Sequence, residues 1–186
     1  DGKHFEQTLR IEGELRLRGE TIKVKSYNVR DRSWGKLRPE EPMALPPTSW
    51  TTGVFNDGLS FNCNIFDHRS GNPDNGTAFD IPDERALNTG WIWRNDRVLR
   101  IVHATKKVRR EPGSHIVQEM HLDMTDESGQ HLRLRGRLVS SSPWCTWPNV
   151  KMVISLMRWE SDDGLVGYGD CQEPIWTDYS RAFRKR

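Results

Sequence analysis

Apolar and polar residues alternate at every second position through much of the chain, and this pattern constrains the fold more than any other feature. Residues 14–18 read Glu-Leu-Arg-Leu-Arg and residues 21–25 read Thr-Ile-Lys-Val-Lys, so successive side chains point to opposite faces of a strand. The period of 3.6 residues that marks an amphipathic helix is nearly absent. The chain is therefore predicted to be all-β.

Turn-forming residues separate the alternating segments and predict how they pair. Gly19 and Glu20 lie between the first two segments and predict a hairpin with one solvated face. Further turns are predicted from runs rich in Asn, Asp, Ser and Gly at residues 56–58, 95–96, 126–129 and 161–164. About nine or ten short strands result, and this number favours an antiparallel barrel or sandwich.

Two irregular segments predict long loops at one end of such a barrel. Residues 36–49 contain four prolines, and residues 67–90 are rich in Gly, Asn, Asp and Pro. Ligand contacts are commonly made by long loops at a barrel mouth. A short C-terminal helix is predicted over residues 176–186.

Composition limits the class of protein. A chain of 186 residues is expected to form one domain over residues 1–186, with a core that depends on eight Trp, six Phe and three Tyr. The net charge of +2 gives no reason to expect a nucleic-acid partner. No run of about 18 apolar residues predicts a membrane span. Cys63, Cys145 and Cys171 are odd in number and widely spaced, which favours buried free thiols and a cytoplasmic location.

Polar residues concentrate at residues 29–35, directly after the second alternating segment. If that strand is unbroken, Arg30 and Arg32 share the face of Ile22, whereas Asp31 points to the other face. A β-bulge near Asp31 would reverse this assignment. Two interpretations stay open: an ion pair between Asp31 and its arginine neighbours that fixes the strand end, or a functional acid.

Several other polar residues have two possible interpretations. His4 and Glu6 lie two residues apart and share a strand face, where they are either a base and an acid at a cavity or solvated side chains on an edge. His115 and His121 are six residues apart, about 20 Å along a straight strand, which is too far for one metal ion. His68 has no evident partner in the sequence. The basic run at residues 106–110 is interpreted as a solvated hairpin end.

Trp91-Ile92-Trp93 places two indoles on one strand face, which is more typical of a core than of a ligand surface. The chain contains no Gly-rich phosphate loop, no nucleophile elbow and no zinc-ligand spacing. These absences leave general acid–base chemistry or no chemistry.

Three segments resemble the AttH-like group of proteins, which includes hydroxyneurosporene synthase, a carotenoid 1,2-hydratase. They are His4–Gln7 (HFEQ), Tyr27–Gly35 (YNVRDRSWG) and Gly167–Asp170 (GYGD). The usual form of the second motif in that group is Arg-Asp-His-Ser-Trp-Gly, and Arg32 stands where the group has His. Because arginine does not shuttle a proton near neutral pH, a hydratase role that depends on that histidine is not supported at this position.

The resemblance implies a calycin-type fold of two lipocalin-like barrels, of which this chain supplies one, with a second such domain or a homodimer as its partner. It implies a lyase (hydratase) or cyclase that acts by acid–base chemistry, without metal or cofactor, on an apolar, isoprenoid-like alkene. The alkene would bind in an aromatic-lined cavity inside the barrel. The candidate catalytic residues are Asp31, Arg30, Arg32, Glu6 and His4. The candidate ligand-binding residues, mostly aromatic side chains that stabilise a carbocation, are Trp34, Trp50, Tyr27, Trp91, Trp93 and Asp170.

Two non-catalytic hypotheses remain beside this one. The first is a carrier or sensor that binds a hydrophobic small molecule unchanged, which the Trp content and Arg32 favour. The second is a purely structural half of a longer protein. An Asp31→Asn variant separates the catalytic hypothesis from both, since it predicts loss of turnover with the fold intact.

Overall fold

A computed structural model describes residues 3–35, 46–56, 58–71, 79–112, 114 and 116–176. Within these residues the chain forms ten strands. They are β1 (Lys3–Leu17), β2 (Glu20–Trp34), β3 (Thr48–Asn56), β4 (Leu59–Phe66), β5 (Leu87–Arg94), β6 (Arg97–Arg110), β7 (Val117–Asp126), β8 (His131–Trp147), β9 (Val150–Ser161) and β10 (Val166–Trp176). A 3₁₀ turn, Asp83–Arg85, precedes β5. The strands belong to two compact units, residues 1–37 and residues 38–186.

The first unit is a hairpin of β1 and β2. Its antiparallel ladder runs without a register shift from the Lys3 and Trp34 pair to the Leu17 and Glu20 pair. The turn consists of Arg18 and Gly19, both at positive φ, one residue earlier than the predicted turn. Because the ladder has no bulge, the predicted alternation holds, and Arg30 and Asp31 lie on opposite faces.

The second unit is a closed barrel of eight antiparallel strands. Consecutive strands from β3 to β10 pair with each other, and β10 pairs with β3 to close the sheet. This is the up-and-down arrangement of a lipocalin-like barrel, and it confirms the predicted fold class. The expectation that all strands belong to one barrel is wrong for β1 and β2. Closure by β10 and β3 leaves no free edge to which β2 could add, so the hairpin forms its own two-stranded sheet.

Side chains pack the described interior of the barrel. Phe61 and Trp159 lie at its centre, both fully buried, with ring centroids 5.5 Å apart and nearly perpendicular planes. Gly53 and Gly136 provide the space that these rings occupy. A Cβ atom at Gly136 would lie 2.4 Å from Cζ3 of Trp159, and one at Gly53 would lie 2.4 Å from Cε1 of Phe61.

The rest of the core comes from inward residues of the surrounding strands. They include Cys63, Ile65, Ile92, Ile101, Ala104, Met120, Leu122, Met124, Leu132, Leu134, Met157 and Cys171. Three of these are methionines, which adapt to an irregular interior. The apolar filling fixes which face of each strand points inward, and so identifies the outward face as well.

The predicted loops and tail are only partly within the described residues. Residues 36–45, residues 72–78 and residues 177–186, where most of the C-terminal helix was predicted, lie outside them. Trp176, the first residue of that predicted helix, is the last residue of β10. Cys63, Cys145 and Cys171 are free thiols, as predicted. Cys63 and Cys171 are buried, whereas the prediction of burial is wrong for Cys145, which is exposed. Among the described residues, no helix is long and apolar enough to cross a membrane.

Candidate functional site

Four side chains on one face of the hairpin form a compact polar group, named here the hairpin cluster: His4, Glu6, Asp31 and Ser33. The register places Glu6 opposite Asp31 and His4 opposite Ser33. His4 Nε2 lies 3.0 Å from Glu6 Oε1, and His4 Nδ1 lies 2.8 Å from Ser33 Oγ and 3.5 Å from Asp31 Oδ1. Three predicted catalytic residues are therefore neighbours, although both His4 and Asp31 have side chains about half exposed.

The two predicted catalytic arginines do not join this cluster. Arg30 and Arg32 point to the opposite face, where the Arg30 guanidinium lies 5.5 Å from the ring centroid of Phe5. Trp34 packs edge-on against Phe5 at 6.0 Å. The interpretation of Asp31 as an ion-pair partner of its arginine neighbours is wrong, because adjacent residues of an unbroken strand face opposite ways. The described ion-pair partner of Asp31 is His4.

Tyr27, a predicted ligand contact, lies on the same face as the hairpin cluster. Tyr27 pairs with Arg10, whose guanidinium lies 5.9 Å from the tyrosine ring. The remaining predicted ligand contacts, Trp50, Trp91, Trp93 and Asp170, all belong to the barrel unit. The sequence-derived site therefore divides into a hairpin group and a barrel group.

The three tryptophans of the barrel that were predicted to contact a ligand lie on the outward face of the sheet. Trp91 pairs with Asn62 and Trp93 with Ser60, whereas Ile92 between them points into the core. Trp50 is likewise adjacent to an inward residue. The expectation that these indoles line the interior of the barrel is therefore wrong, since the parity of each strand turns them outward. A role in ligand binding on the outer surface stays a prediction.

Asp170 lies among these residues, in a line of side chains that crosses four strands and is named here the outer-face row. The row consists of Asp170, Thr52, Asn62 and Trp91. Thr52 pairs with Asn62, and Asn62 with Trp91. The Asp170 backbone N–H donates to Thr52 Oγ1 at 3.0 Å, which places Asp170 beside Thr52.

The hydrogen bonds of the outer-face row differ from those of a regular β-ladder at Thr52. The Thr52 carbonyl accepts a hydrogen bond of 2.8 Å from the indole N–H of Trp159, and the Thr52 hydroxyl accepts the Asp170 N–H. Thr52 is fully buried. These bonds connect Asp170 through Thr52 to the central core residue Trp159, so the backbone of Asp170 is held by the barrel's rigid interior.

Burial raises the pKa of the Asp170 carboxyl above its ordinary value. No other cause contributes among the described residues, because neither a cation nor a donor offsets the loss of water around the carboxylate. A carboxyl with a raised pKa keeps its proton at a higher pH and can donate it. Its raised pKa marks Asp170 as a candidate general acid.

A second polar group, which the sequence analysis missed, lies inside the barrel and is named here the inner network. Lys106 and Asp67, each with a side chain 1% exposed, form an ion pair with Nζ and Oδ1 2.6 Å apart. Lys106 Nζ also donates to Ser49 Oγ at 2.6 Å. Arg110 Nη2 lies 2.7 Å from Glu173 Oε1 and 3.5 Å from Asp67 Oδ1. The interpretation of residues 106–110 as a solvated basic run is wrong for Lys106 and Arg110.

His68 belongs to the border of the inner network. Its Nδ1 lies 2.8 Å from Asp83 Oδ1, and its Nε2 accepts the Lys106 backbone N–H at 3.0 Å. Since Nε2 accepts, Nδ1 carries the proton that is donated to Asp83. The sequence did not indicate these partners, because Asp83 and Lys106 are distant along the chain.

The buried thiols do not add nucleophilic chemistry to this interior. Burial raises the pKa of Cys63 to about 12, although the nearby Lys106 charge lowers it. Burial also raises the pKa of Cys171 well above its ordinary value. Because the thiolate is the nucleophilic form, neither cysteine is reactive near neutral pH. The inner network and its thiols are therefore interpreted as structural.

One end of the barrel contains a recess of about 600 Å³. Its lining includes Arg94, Gln130, His131, Arg133 and Asp162. None of the residues predicted to be catalytic or to bind ligand lines this recess. Its mixture of charges does not match an apolar substrate.

Comparisons with known proteins agree with the fold described above. The family model described as "Domain of unknown function (DUF7064)" matches residues 1–178. No curated protein sequence matches the chain. Among solved structures, the chain resembles kievitone hydratase from Nectria haematococca with a TM-score of 0.53 and 14% sequence identity. The likeness covers 95% of this chain and 54% of kievitone hydratase, so the chain spans about half the length of that protein. At this identity the comparison establishes a shared fold.

Proposed function

This chain belongs to the family described as "Domain of unknown function (DUF7064)", and from the geometry of its barrel we propose that it is an acid–base lyase or cyclase acting on an apolar, isoprenoid-like alkene. Asp170 is the proton donor in this proposal. The observation that carries it is the partial burial of the Asp170 carboxyl on the outer face of the barrel, where no cation among the described residues compensates its charge and its pKa is raised.

The reaction begins with transfer of the Asp170 proton to one carbon of the alkene. The π bond breaks, its electron pair forms the new C–H bond, and a carbocation develops on the other carbon. Water then adds to that cation and returns a proton to the Asp170 carboxylate, which gives an alcohol and the original acid. If a hydroxyl of the substrate adds instead, the product is a ring and no water is consumed.

Tryptophan side chains on the same outward face as Asp170 suit a cationic intermediate. The negative face of an indole ring stabilises a cation by about 0.5–2 kcal/mol, more where water is excluded. Trp91 lies in the outer-face row, and Trp50 lies two residues from Thr52 on the same face. Trp50 is the proposed wall next to the reacting carbons. Trp91 lies three strands from Asp170, about 14 Å away, so it would contact a more distant part of a long substrate, and Trp93 extends the same surface.

The hairpin residues are weaker candidates for the proton donor. Asp31, His4 and Glu6 remain predicted acid–base residues, but the Asp31 side chain is 45% exposed, and protonation of an alkene needs surroundings poor in water. Arg30 and Arg32 lie on the other hairpin face, away from Asp31, and stay predicted catalytic residues. The fold shared with kievitone hydratase, a protein whose name records a hydration, supports the reaction class and not the substrate.

The first experiment compares Asp170→Asn with wild type on prenylated phenols and acyclic carotenoids, with products identified by mass spectrometry in isotopically labelled water. The proposal predicts a product that has gained one water, or a cyclised isomer, with wild type and a loss of at least about 100-fold with Asp170→Asn. Asp96→Asn is the matched control. Asp96 is an exposed turn residue with φ +57°, a conformation that asparagine adopts readily.

A stability measurement on the same variant distinguishes a catalytic acid from a structural one. Between the ordinary pKa of 3.8 and the higher folded-state pKa, the folded chain binds more protons than the unfolded chain, so stability falls as pH rises. Above that window the ionised Asp170 destabilises the fold. Asp170→Asn is therefore expected to be more stable than wild type at neutral pH while it loses turnover. A variant that is less stable and still active contradicts the proposal.

The alternative function is a carrier that binds a hydrophobic molecule without changing it. Arg32, in place of the histidine of the AttH-like motif, favours it because one proton-shuttling group is missing. A carrier predicts that native mass spectrometry detects a bound apolar ligand, that the ligand is recovered unchanged, and that Asp170→Asn does not affect its binding. Conversion of the bound ligand by wild type alone excludes the carrier.

A further inference from the structure

The hairpin cluster contains the ligand types of a metal site at the separations that such a site needs. Ligand atoms of His4, Glu6 and Asp31 all lie within 4.8 Å of one another. Around a tetrahedral zinc ion, nitrogen and oxygen ligands at 2.0–2.2 Å are separated by about 3.3 Å. The 3.0 Å between His4 Nε2 and Glu6 Oε1 is close to this separation. Asp31 Oδ1 lies 3.5 Å from His4 Nδ1, so binding through His4 Nε2 requires the Asp31 side chain to rotate toward that nitrogen.

The β-ladder fixes the backbone positions of these ligands. His4 and Glu6 are two apart on β1, and Ser33 and Asp31 occupy the facing positions on β2. Cβ atoms of directly facing residues in an antiparallel pair lie about 4.5–5.5 Å apart. The four positions therefore form one block whose shape is set by an uninterrupted ladder rather than by a loop.

Ser33 orients the imidazole for metal binding. Its Oγ lies 2.8 Å from His4 Nδ1, so it can accept the Nδ1 proton and leave Nε2 as the free lone pair beside Glu6. Metal-binding histidines usually make such a bond through their other nitrogen, which fixes the tautomer and the ring orientation. The cluster thus holds three ligands and one outer-shell partner.

Two other surface histidines show how the hairpin cluster differs from an ordinary histidine–carboxylate pair. His121 lies 2.9 Å from Glu119, and Arg135 lies 3.0 Å from the same carboxylate. His131 contacts Asp123 at 3.3 Å, and Arg133 lies 3.0 Å from that carboxylate. At both sites the third group is a cation, which repels a metal ion. In the hairpin cluster the third group is a second carboxylate, which attracts one.

From this geometry we propose that the hairpin cluster binds a divalent first-row transition-metal ion of the zinc type through His4, Glu6 and Asp31. The imidazole ligand favours such an ion over Mg²⁺ and Ca²⁺, which prefer oxygen ligands. Three protein ligands leave one position for water or a further donor. This site is independent of the reaction proposed at Asp170.

The ion would clamp the open end of the hairpin. The turn at Arg18 and Gly19 closes one end, and the cluster lies near the other, at the start of β1 and the end of β2. A two-stranded hairpin is only marginally stable, and a metal bridge between its strands reduces the disorder of the unclamped ends. Bound zinc is therefore expected to slow amide hydrogen exchange in the paired residues nearest the cluster.

The test is zinc titration of chelator-treated protein by isothermal titration calorimetry, with Mg²⁺ in parallel and Co²⁺ absorption as a spectroscopic signature of coordination. We expect one zinc ion per hairpin and no comparable Mg²⁺ binding. Ser33→Ala should weaken zinc binding by roughly 10–100-fold, the usual effect of losing an outer-shell partner. Asp31→Asn and Glu6→Gln should weaken it further.

Glu119→Gln is the matched control, since it removes the carboxylate from a histidine pair that also contains Arg135. It should leave zinc binding unchanged. Nuclear magnetic resonance of the imidazole protons gives a readout that does not depend on variant folding, because zinc should perturb His4 and leave His121 unaffected. Absence of saturable zinc binding overturns the proposal. Equal losses in Asp31→Asn and Glu119→Gln, or a larger perturbation at His121, do so as well.

Discussion

Replacement of Lys106 by methionine tests whether the inner network stabilises the barrel. Lys106→Met removes a cation 2.6 Å from Asp67 and deletes hydrogen bonds of 2.6 Å to Ser49 Oγ and 3.1 Å to the Ile65 carbonyl. Both charged side chains are 1% exposed, so water does not replace the lost partner. Breaking a buried pair by removing one member costs about 3–5 kcal/mol.

The remaining arginine places the expected loss at the lower end of that range. Arg110 Nη2 lies 3.5 Å from Asp67 Oδ1 and continues to compensate part of its charge. We therefore expect about 3 kcal/mol of destabilisation, a fall in the melting temperature of roughly 6–12 °C for a domain of this size. Urea unfolding followed by tryptophan fluorescence measures it, with a lower midpoint and an unchanged slope.

Two further variants test whether the loss of stability comes from the buried, unpaired charge of Asp67. Lys107→Met removes a neighbouring lysine that is exposed and should change stability by less than about 0.5 kcal/mol. The double variant Lys106→Met with Asp67→Leu removes both charges and should recover most of the loss, since an apolar pair can replace a buried ion pair. A single variant as stable as wild type, or a double variant no more stable than the single one, contradicts this prediction.

Two other predictions concern packing and pH. Gly136→Ala places a methyl group 2.4 Å from the buried ring of Trp159 and should destabilise the barrel by about 1–3 kcal/mol in urea unfolding, whereas Gly129→Ala, in an open turn, tests only the cost of its positive φ. The hydrogen bond from Ser70, followed by that from His68, lowers the pKa of Asp83 from 3.8 to about 2. The resulting stabilisation is complete above the unfolded value and is lost as pH falls toward about 2, so Asp83→Asn should flatten the dependence of stability on pH in that window. An unchanged acid limb in Asp83→Asn contradicts the assignment.

The strands could be predicted from the sequence because alternation and turn chemistry are local. The Asn95 and Asp96 turn illustrates this: both residues adopt positive φ, at +51° and +57°, as a tight hairpin turn requires. The separation of the hairpin from the barrel could not be predicted in this way. It depends on the pairing of β10 with β3, and these strands lie far apart along the chain.

The sequence does not show which residues of a strand point inward where both faces of the strand have residues of the same polarity. Trp91-Ile92-Trp93 is apolar at every position, so the pattern does not reveal that Ile92 alone points into the core. The burial of Lys106 was not predicted because the residues around it are basic. The sequence therefore does not show that Lys106 points inward on the same strand face as Ala104. His4, Glu6 and Asp31 were found together because an unbroken hairpin preserves the face of each residue.

The contrast between three acidic residues explains why Asp170 is the favoured catalytic residue. Asp67 and Glu173 are deeply buried, and Lys106 and Arg110 compensate their charges at 2.6 and 2.7 Å. The barrel therefore places cations where its acids serve the structure. At Asp170 burial acts on the carboxyl without such a cation among the described residues, while the backbone is held through Thr52. An uncompensated acid in a firmly held position costs stability, and this contrast with Asp67 and Glu173 is the reason that Asp170 is the acid in the proposed reaction.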